Sequence, residues 1–431
     1  MESARVCVVG AGLAGCEAAF QLAERNIAVD LYEMKPGRKS PAHHSDAFCE
    51  LVCSNSLRSD RLENAVGLLK AEMRLLGSIV IRIADETRVP AGGALAVDRE
   101  GFAARMTETI RSHPNITVHA GEVAKVPDAP AIVATGPLTD GALAEDVAKL
   151  AGGALHFYDA AAPIVSYDSL DLTKVYRASR YGRGDDYLNC PFTRDEYFAF
   201  YRALVTAETA ELHSFETPRV FEGCMPVEVM AKRGEMTLCY GPLKPVGLEH
   251  GGKKPFAVAQ LRQDDKDGEL WNIVGFQTNL KFGEQKRVFG MIPGLEHAEF
   301  VRCGVMHRNT FLPSPGLLDF DYSVRANPLL YFAGQITGVE GYVESASSGL
   351  VAAISLSRRL RDEAPTDFTA RTAIGALGHY VSGYCGGDFQ PMNVTFGIME
   401  GLPERIRSKK ERYAKIAERS LKIVKELQTN C

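Results

Sequence analysis

No run of about 18 consecutive apolar residues occurs in the 431-residue chain, so no segment reads as a membrane-spanning helix. The opening MESARVCVVGAGLAG also lacks a secretory h-region, because glycines interrupt its apolar run; no signal peptide is expected. Ten cysteines are present, at 7, 16, 49, 53, 190, 224, 239, 303, 385 and 431, yet none forms a CxxC pair. That excludes a zinc ribbon and a thioredoxin-like motif, and no His or Cys cluster completes a metal site. The thiols therefore read as reduced, in a cytoplasmic protein. Excess positive charge is missing too. The net charge is −5, so any nucleic-acid contact must come from a local patch, and neither membrane nor DNA is expected as a partner. What remains is ordinary globular composition, 45% hydrophobic and 24% charged, with length enough for two or three domains.

The most informative segment lies near the start. ARVCVV (4–9) reads as a buried parallel strand, GAGLAG (10–15) follows, and CEAAFQLAERN continues with helical spacing. IAVDLYEM (27–34) supplies the next strand. In this strand–turn–helix–strand context a GxGxxG match becomes a dinucleotide-binding signal. Gly10 permits the tight turn, Gly12 the approach of a pyrophosphate, and Gly15 close helix–strand packing. Ala11, Leu13 and Ala14 complete the turn, whose amides face the negative charge. Glu33, at the end of the second strand, is placed to accept from a ribose hydroxyl.

Two later segments separate FAD from NAD. PAIVATGPLT (130–139) is an apolar strand running into Thr135 and Gly136, where the chain would pass the dinucleotide again. Residues 327–360 give a strand, a glycine-rich turn containing Gly334, Gln335, Gly338 and Gly341, and a long helix from about Ser345. A second phosphate-facing helix start suits a flavin laid across the domain, so FAD is the expected cofactor. The two halves are far apart in sequence. The expected fold is α/β: a doubly wound FAD-binding domain of the glutathione-reductase type, residues 1–150 and 311–431, interrupted by a mixed α/β insertion at 151–310.

Within that insertion MTLCYGPL (236–243), FAVAQLRQD (256–264) and LWNIVGFQTNL (270–280) read as strands of an antiparallel sheet. Residues 193–212 read as one amphipathic helix. The segment 281–309 reads equally well as a solvated charged face or as an RNA-contacting one. IRSKKERYAKIAERSLKIVKEL (406–427) carries eight basic and three acidic residues on a helical pattern, the clearest local positive patch.

Two cysteines stand out. Cys53 in LVCSNSLRSD (51–60) has polar and cationic neighbours instead of the apolar surroundings usual for a structural thiol. Cys224 in FEGCMPVEVMAKRG (221–234) sits in a turn before Met225-Pro226. Taken singly, each reads first as an inert loop cysteine.

GAGLAGCEAAFQLAERN, LVCSNSLRSD, VDRE (97–100), FEGCMPVEVMAKRG, YFAGQITGVEGYVESASSG (331–349) and QPMNVTFGI (390–398) together resemble the folate- and FAD-dependent tRNA uracil-5-methyltransferases. The resemblance runs from Arg5 to about Gly397. A cousin family of flavoproteins that modify the tRNA wobble uridine shares the AGQI turn and is usually longer. The resemblance implies methylation of C5 of a T-loop uridine of tRNA. Methylenetetrahydrofolate would be the carbon donor, reduced FAD the hydride donor, and NADH or NADPH the reductant. It also implies that Cys53 and Cys224 are catalytic. Which of them attacks C6 does not follow from sequence; the assignment adopted is Cys224 as nucleophile and Cys53 as flavin-side thiol and proton acceptor. A flipped uridine needs a basic surface at the mouth, with Arg58, Arg61, Lys286 and Arg287 as candidates. Alternatives are the same chemistry on ribosomal RNA, a generic FAD oxidoreductase, or an RNA-binding chaperone.

Overall fold

The computed structural model describes residues 5–153, 155–210, 225–249, 251–252, 254–304, 306–383 and 389–428. Alternating apolar, β-branched runs build a six-stranded sheet in the order Ser323–Val324, Asn327–Phe332, Ala131–Val133, Arg5–Val9, Ala28–Glu33 and Ile116–Ala120. All pairings are parallel except the edge strand Ser323–Val324. Helices Leu13–Glu24 and Tyr342–Arg359 cross in close contact on this sheet. Gly349 allows the approach, since a Cβ there would lie 2.2 Å from the carbonyl oxygen of Ala14. This is the doubly wound α/β architecture. The strand order reverses beside Arg5–Val9, so the carboxyl ends of the central strands frame a crevice.

A second six-stranded sheet is antiparallel, in the order Tyr176–Arg177, Tyr187–Phe192, Ala257–Gln263, Leu270–Ile273, Ile164–Ser166 and Phe300–Arg302. Its core, around the buried Trp271, Phe192 and Phe276, is covered by helices Arg194–Thr206 and Phe282–Phe289. The helix Arg194–Thr206 opens with a capping box between Thr193 and Glu196. The chain passes between the two sheets through Leu155–Ala160 and Met306–Phe311, which pair antiparallel. A smaller sheet, Ser56–Ser59 with Ala94–Val97 and Arg88–Val89, carries the segment that follows Cys53.

Four local expectations need correction. The helix expected over 193–212 ends at Thr206, where Ala207 takes up extended backbone. MTLCYGPL is not a strand: Thr237–Tyr240 forms one helical turn that buries the adjacent Leu238 and Cys239, which a strand could not do on one face. The strand expected over 270–280 ends at Ile273. Gly275 then turns the chain with φ +79°, and its close approach to Pro242 leaves no room for a side chain. The long late helix starts at Tyr342, three residues before the expected Ser345, because Gly341, with φ +109°, stands at its N-terminal boundary.

Candidate active site

The sequence builds the site from four strand ends. Arg5–Val9 runs into Gly10, Ala28–Glu33 ends in Glu33, Ala131–Val133 leads to Thr135 and Gly136, and Asn327–Phe332 leads to Gly334 and Gln335. All line one cleft, together with Ala11, Gly12, Leu13, Ala14, Tyr342 and Ser345. The glycines of the first turn divide the work. Gly10 has φ +98°, and a Cβ there would meet the Ala134 carbonyl oxygen at 2.6 Å. Gly15 packs on the Gly10 carbonyl, which a Cβ would approach to 1.8 Å. Gly12 has nothing within 4 Å of its Cβ position. It caps the helix Leu13–Glu24 with no side chain of its own over the open amides. A bare helix N-terminus beside empty space is what an incoming pyrophosphate needs. The residues present therefore fit a dinucleotide.

Glu33 is buried, and its carboxylate is already engaged. Oε2 accepts from the Ala11 amide at 2.8 Å and Oε1 from the Lys35 amide at 3.0 Å. It ties the glycine turn to the second strand, and each oxygen keeps a lone pair for a ribose hydroxyl. Thr135 and Thr139 share a hydroxyl hydrogen bond of 2.7 Å, and Thr139 donates to the Gly136 carbonyl. The Gly334 amide donates to Ser348 at 2.7 Å, and Gln335 donates to Glu340 at 2.9 Å. Gly338 and Gly341 do not line the cleft. Gly338 lies under Phe389, whose ring a Cβ would meet at 2.5 Å, and Gly341 lies against Glu344.

Cys53 is half-buried in the polar loop that the sequence suggested. Its amide donates to the Tyr342 hydroxyl at 2.8 Å, and the Ser54 amide reaches the same oxygen at 3.3 Å. Tyr342 also lines the cleft, so the Cys53 loop is fastened to the glycine-rich turn in its wall. Burial, with Cys53 as neighbour, pushes the Tyr342 hydroxyl well above its ordinary range, so it stays neutral. Tyr342 is a site residue that motif reading passed over. Its only signal was an aromatic residue directly after Gly341. Cys224 lies outside the described residues.

The candidate arginines part company. Arg58 is no free RNA arm: it stands at φ +61° and ion-pairs with the fully buried Glu344, whose Oε1 also accepts from the Val394 amide at 3.0 Å. Arg61 lines a separate groove with Arg88, Gly92 and Asp186. Lys286 and Arg287 are exposed on the helix Phe282–Phe289, where Arg287 pairs with Glu284 at 2.6 Å; neither lines the cleft. The cleft instead takes its cations from Lys35 and Arg38, and Arg38 is bound to Asp140 at 2.6 Å and to Glu122. His43 faces the same space. Burial and then Lys35 lower its affinity for a proton, which favours the neutral ring. Cys49 also lines the cleft, and Cys16 lies behind the turn. Burial, with Cys49 beside it, holds the Cys16 thiol well above the ordinary range, so it is an inert packing group.

Residues 5–364 match the family model described as glucose inhibited division protein A. The methylenetetrahydrofolate–tRNA-(uracil-5-)-methyltransferase TrmFO of Listeria welshimeri is 58% identical over 426 residues, 98% of each chain. The enzyme of the same name from Acetivibrio thermocellus is 60% identical over 424 residues, 97% of each. This chain belongs to the methylenetetrahydrofolate–tRNA-(uracil-5-)-methyltransferase family. Among solved structures, GidA of Aquifex aeolicus superposes with a TM-score of 0.70 at 16% identity, over 99% of this chain and 76% of that one. That likeness establishes a shared fold. In this chain Tyr342 connects the cleft to the Cys53 loop.

Proposed function

We propose that this chain transfers the methylene carbon of methylenetetrahydrofolate to C5 of a T-loop uridine in tRNA, with FAD bound in the cleft and NADH or NADPH as reductant. The observation that carries the reading is the Cys53 loop, hydrogen-bonded to Tyr342 in the wall of a cleft lined by the glycine turn and Glu33. The relatives' names support the folate donor and the tRNA acceptor.

The residues have definable tasks. The open amides at the start of the helix Leu13–Glu24 receive the pyrophosphate, and Glu33, which braces the turn through the Ala11 amide, receives the ribose. Flavin, when bound and reduced, supplies the hydride that completes the methyl group. C5 of uracil is a poor nucleophile until a group adds at C6. In the proposed order the Cys224 thiolate bonds to C6, and C5 then attacks the methylene carbon. That attack displaces one of the two folate nitrogens from the methylene carbon, and the nitrogen released takes up a proton. Cys53 then takes the C5 proton while the bond from the methylene carbon to the remaining folate nitrogen breaks, leaving an exocyclic methylene and tetrahydrofolate. Hydride addition to that carbon expels Cys224 from C6 and restores the ring double bond. Tyr342 holds the Cys53 loop in register through these steps.

The test is nucleoside mass spectrometry on an unmodified tRNA transcript incubated with the protein, FAD, NADH and methylenetetrahydrofolate labelled in the methylene carbon. Labelled 5-methyluridine at the T-loop position is the expected product. A flavin spectrum and NADH oxidation without labelled nucleoside would sink the tRNA reading, and label appearing only in a ribosomal RNA fragment would redirect it. A covalent RNA adduct that survives Cys224→Ala but not Cys53→Ala would exchange the two cysteine roles.

A further inference from the structure

The VDRE stretch, 97–100, has no task in the mechanism above. Its arginine opens the helix Arg99–Ser112, where Asp98 caps the start by accepting from the Gly101 amide at 2.8 Å. Arg99 turns inward, with only 11% of its side chain exposed. Nε and one terminal nitrogen donate to the two oxygens of Asp264 at 2.9 and 3.0 Å, a two-pronged pair. The other terminal nitrogen donates to the carbonyl of Leu51, two residues before Cys53. Asp264 belongs to the antiparallel half of the molecule, directly after the strand Ala257–Gln263, and its side chain is 2% exposed. One guanidinium thus joins both halves of the chain to the loop that bears the thiol.

The charges around that loop are unbalanced. Arg262, buried, spends its donors on neutral oxygens, Asn55 Oδ1 at 3.1 Å and Ser54 Oγ at 2.7 Å. Arg302, half-buried on the strand Phe300–Arg302, pairs with no carboxylate among the described residues. Burial and then Arg99 disfavour its charge, while Tyr342, Glu50 and Asp264 favour it, which places it at the same junction. Against these three cations stand Asp264 and, at the cleft rim, Glu50, whose carboxylate already accepts from the amides of His44 and Ser45. Arg58 and Glu344 neutralise each other nearby. Tyr187, opposite Arg262 across the strand pair, and Tyr342 are held neutral, chiefly by burial. Burial works against the Arg99 charge, but Asp264, Tyr342 and Cys53 outweigh it. Negative charge on the Cys53 sulfur is therefore felt at Arg99.

We propose that Arg99 is the positioning residue for Cys53: it anchors the loop through Leu51 and favours the thiolate over the thiol, and Asp264 sets how much of its charge the sulfur feels. The proposal gives the proton acceptor of the proposed reaction its ionised form, and in that respect rests on the reading of Cys53 above. The electrostatic statement stands without it.

Two substitutions of opposite sign test it. Arg99→Gln removes the cation and leaves Asp264, so Cys53 should ionise at higher pH. Asp264→Asn removes the anion and leaves Arg99, so Cys53 should ionise at lower pH. A merely structural clamp would loosen in both variants and move both the same way. The full chain is treated with iodoacetamide between pH 5.5 and 10, and alkylation of Cys53 is followed by peptide mass spectrometry. The half-buried Cys303 serves as internal reference. A nearby opposite charge is worth about one pH unit at a thiol, so at pH 6 Arg99→Gln should react roughly tenfold more slowly and Asp264→Asn severalfold faster. Profiles that coincide with wild type, or that shift in the same direction in both variants, overturn the proposal. Should Arg99→Gln fail to fold, Arg99→Lys keeps the charge and should keep the low-pH profile, and the direction in Asp264→Asn still decides. The readout needs no RNA, folate or flavin. A failed methyl transfer with the predicted alkylation profiles would therefore count against the proposed function alone.

Discussion

Gly12 and Gly15 lie three residues apart in one turn, yet they should fail in opposite ways when each is replaced by alanine. Gly12 has φ −80° and ψ −172°, a backbone conformation open to any residue, and nothing within 4 Å of its Cβ position. Gly12→Ala should therefore fold. Alanine is a poorer helix cap than glycine, so the cost is about 0.5 kcal/mol and the melting temperature falls by only a degree or two. The added methyl points where the pyrophosphate must come. Losing one charge-assisted hydrogen bond there is worth about 1.5–3 kcal/mol. That weakens FAD binding roughly 10- to 150-fold, at about 1.4 kcal/mol per tenfold. Gly15→Ala instead drives a Cβ to 1.8 Å from the Gly10 carbonyl oxygen, a backbone atom with nowhere to go. It should cost more than about 3 kcal/mol and reduce soluble yield, whether or not flavin is present. The assay is a flavin fluorescence titration beside thermal melts with and without FAD. Unchanged flavin affinity in Gly12→Ala would refute the placement of the dinucleotide on this turn. A well-folded Gly15→Ala would refute the packing argument.

Three further outcomes follow from buried charges. Glu72 is fully buried and accepts from the Ala373 and Ile374 amides at 2.9 and 2.8 Å, so it caps the helix Ala373–Gly383 from a neighbouring helix. Burial pushes its carboxyl up to about 7. The native state then holds the proton more tightly than the unfolded chain does. This stabilisation, about 3 kcal/mol, is full below pH ~4.5 and lost as pH rises through 7. Urea unfolding at pH 5 and pH 8 should show the drop in wild type and a smaller one in Glu72→Gln; an equal drop in both would contradict it. Lys70, also buried, donates to the carbonyls of Leu57 and Ser59, each at 2.8 Å, and burial lowers its ammonium to about 7. Its contribution is present above the unfolded value and lost as pH falls through 7. Lys70→Met should flatten stability between pH 7 and 10, and should cost about 2–4 kcal/mol at pH 10 for the two stranded carbonyls. Arg58→Ala leaves the buried Glu344 without its cation and should cost about 2–3 kcal/mol, discounted for the part-exposed arginine. Adding Glu344→Gln should recover part of it, and a double-mutant cycle with no coupling would dismiss the pair as a support of the site.

Local sequence determined the dinucleotide half almost entirely. The turn from Gly10 to Gly15, Glu33, and the pair Thr135–Gly136 all depend on short-range rules: strand periodicity, positive φ, a bare helix start. Those rules act within a dozen residues, so the chain displays them openly. The same rules misread MTLCYGPL, where packing against the helix Arg194–Thr206, including a hydrogen bond from Tyr197 to the Glu235 carbonyl, overrode β-propensity. Sequence also placed Cys53 in a polar loop but could not show which charges meet there. Arg58, five residues away, is spent on Glu344, whereas Arg99 and Asp264, 46 and 211 positions further on, make the loop's environment. No periodicity encodes such a meeting. It exists only because the antiparallel half folds back onto the flavin-type half, and Coulomb attraction between buried groups depends on that distance and not on separation along the chain.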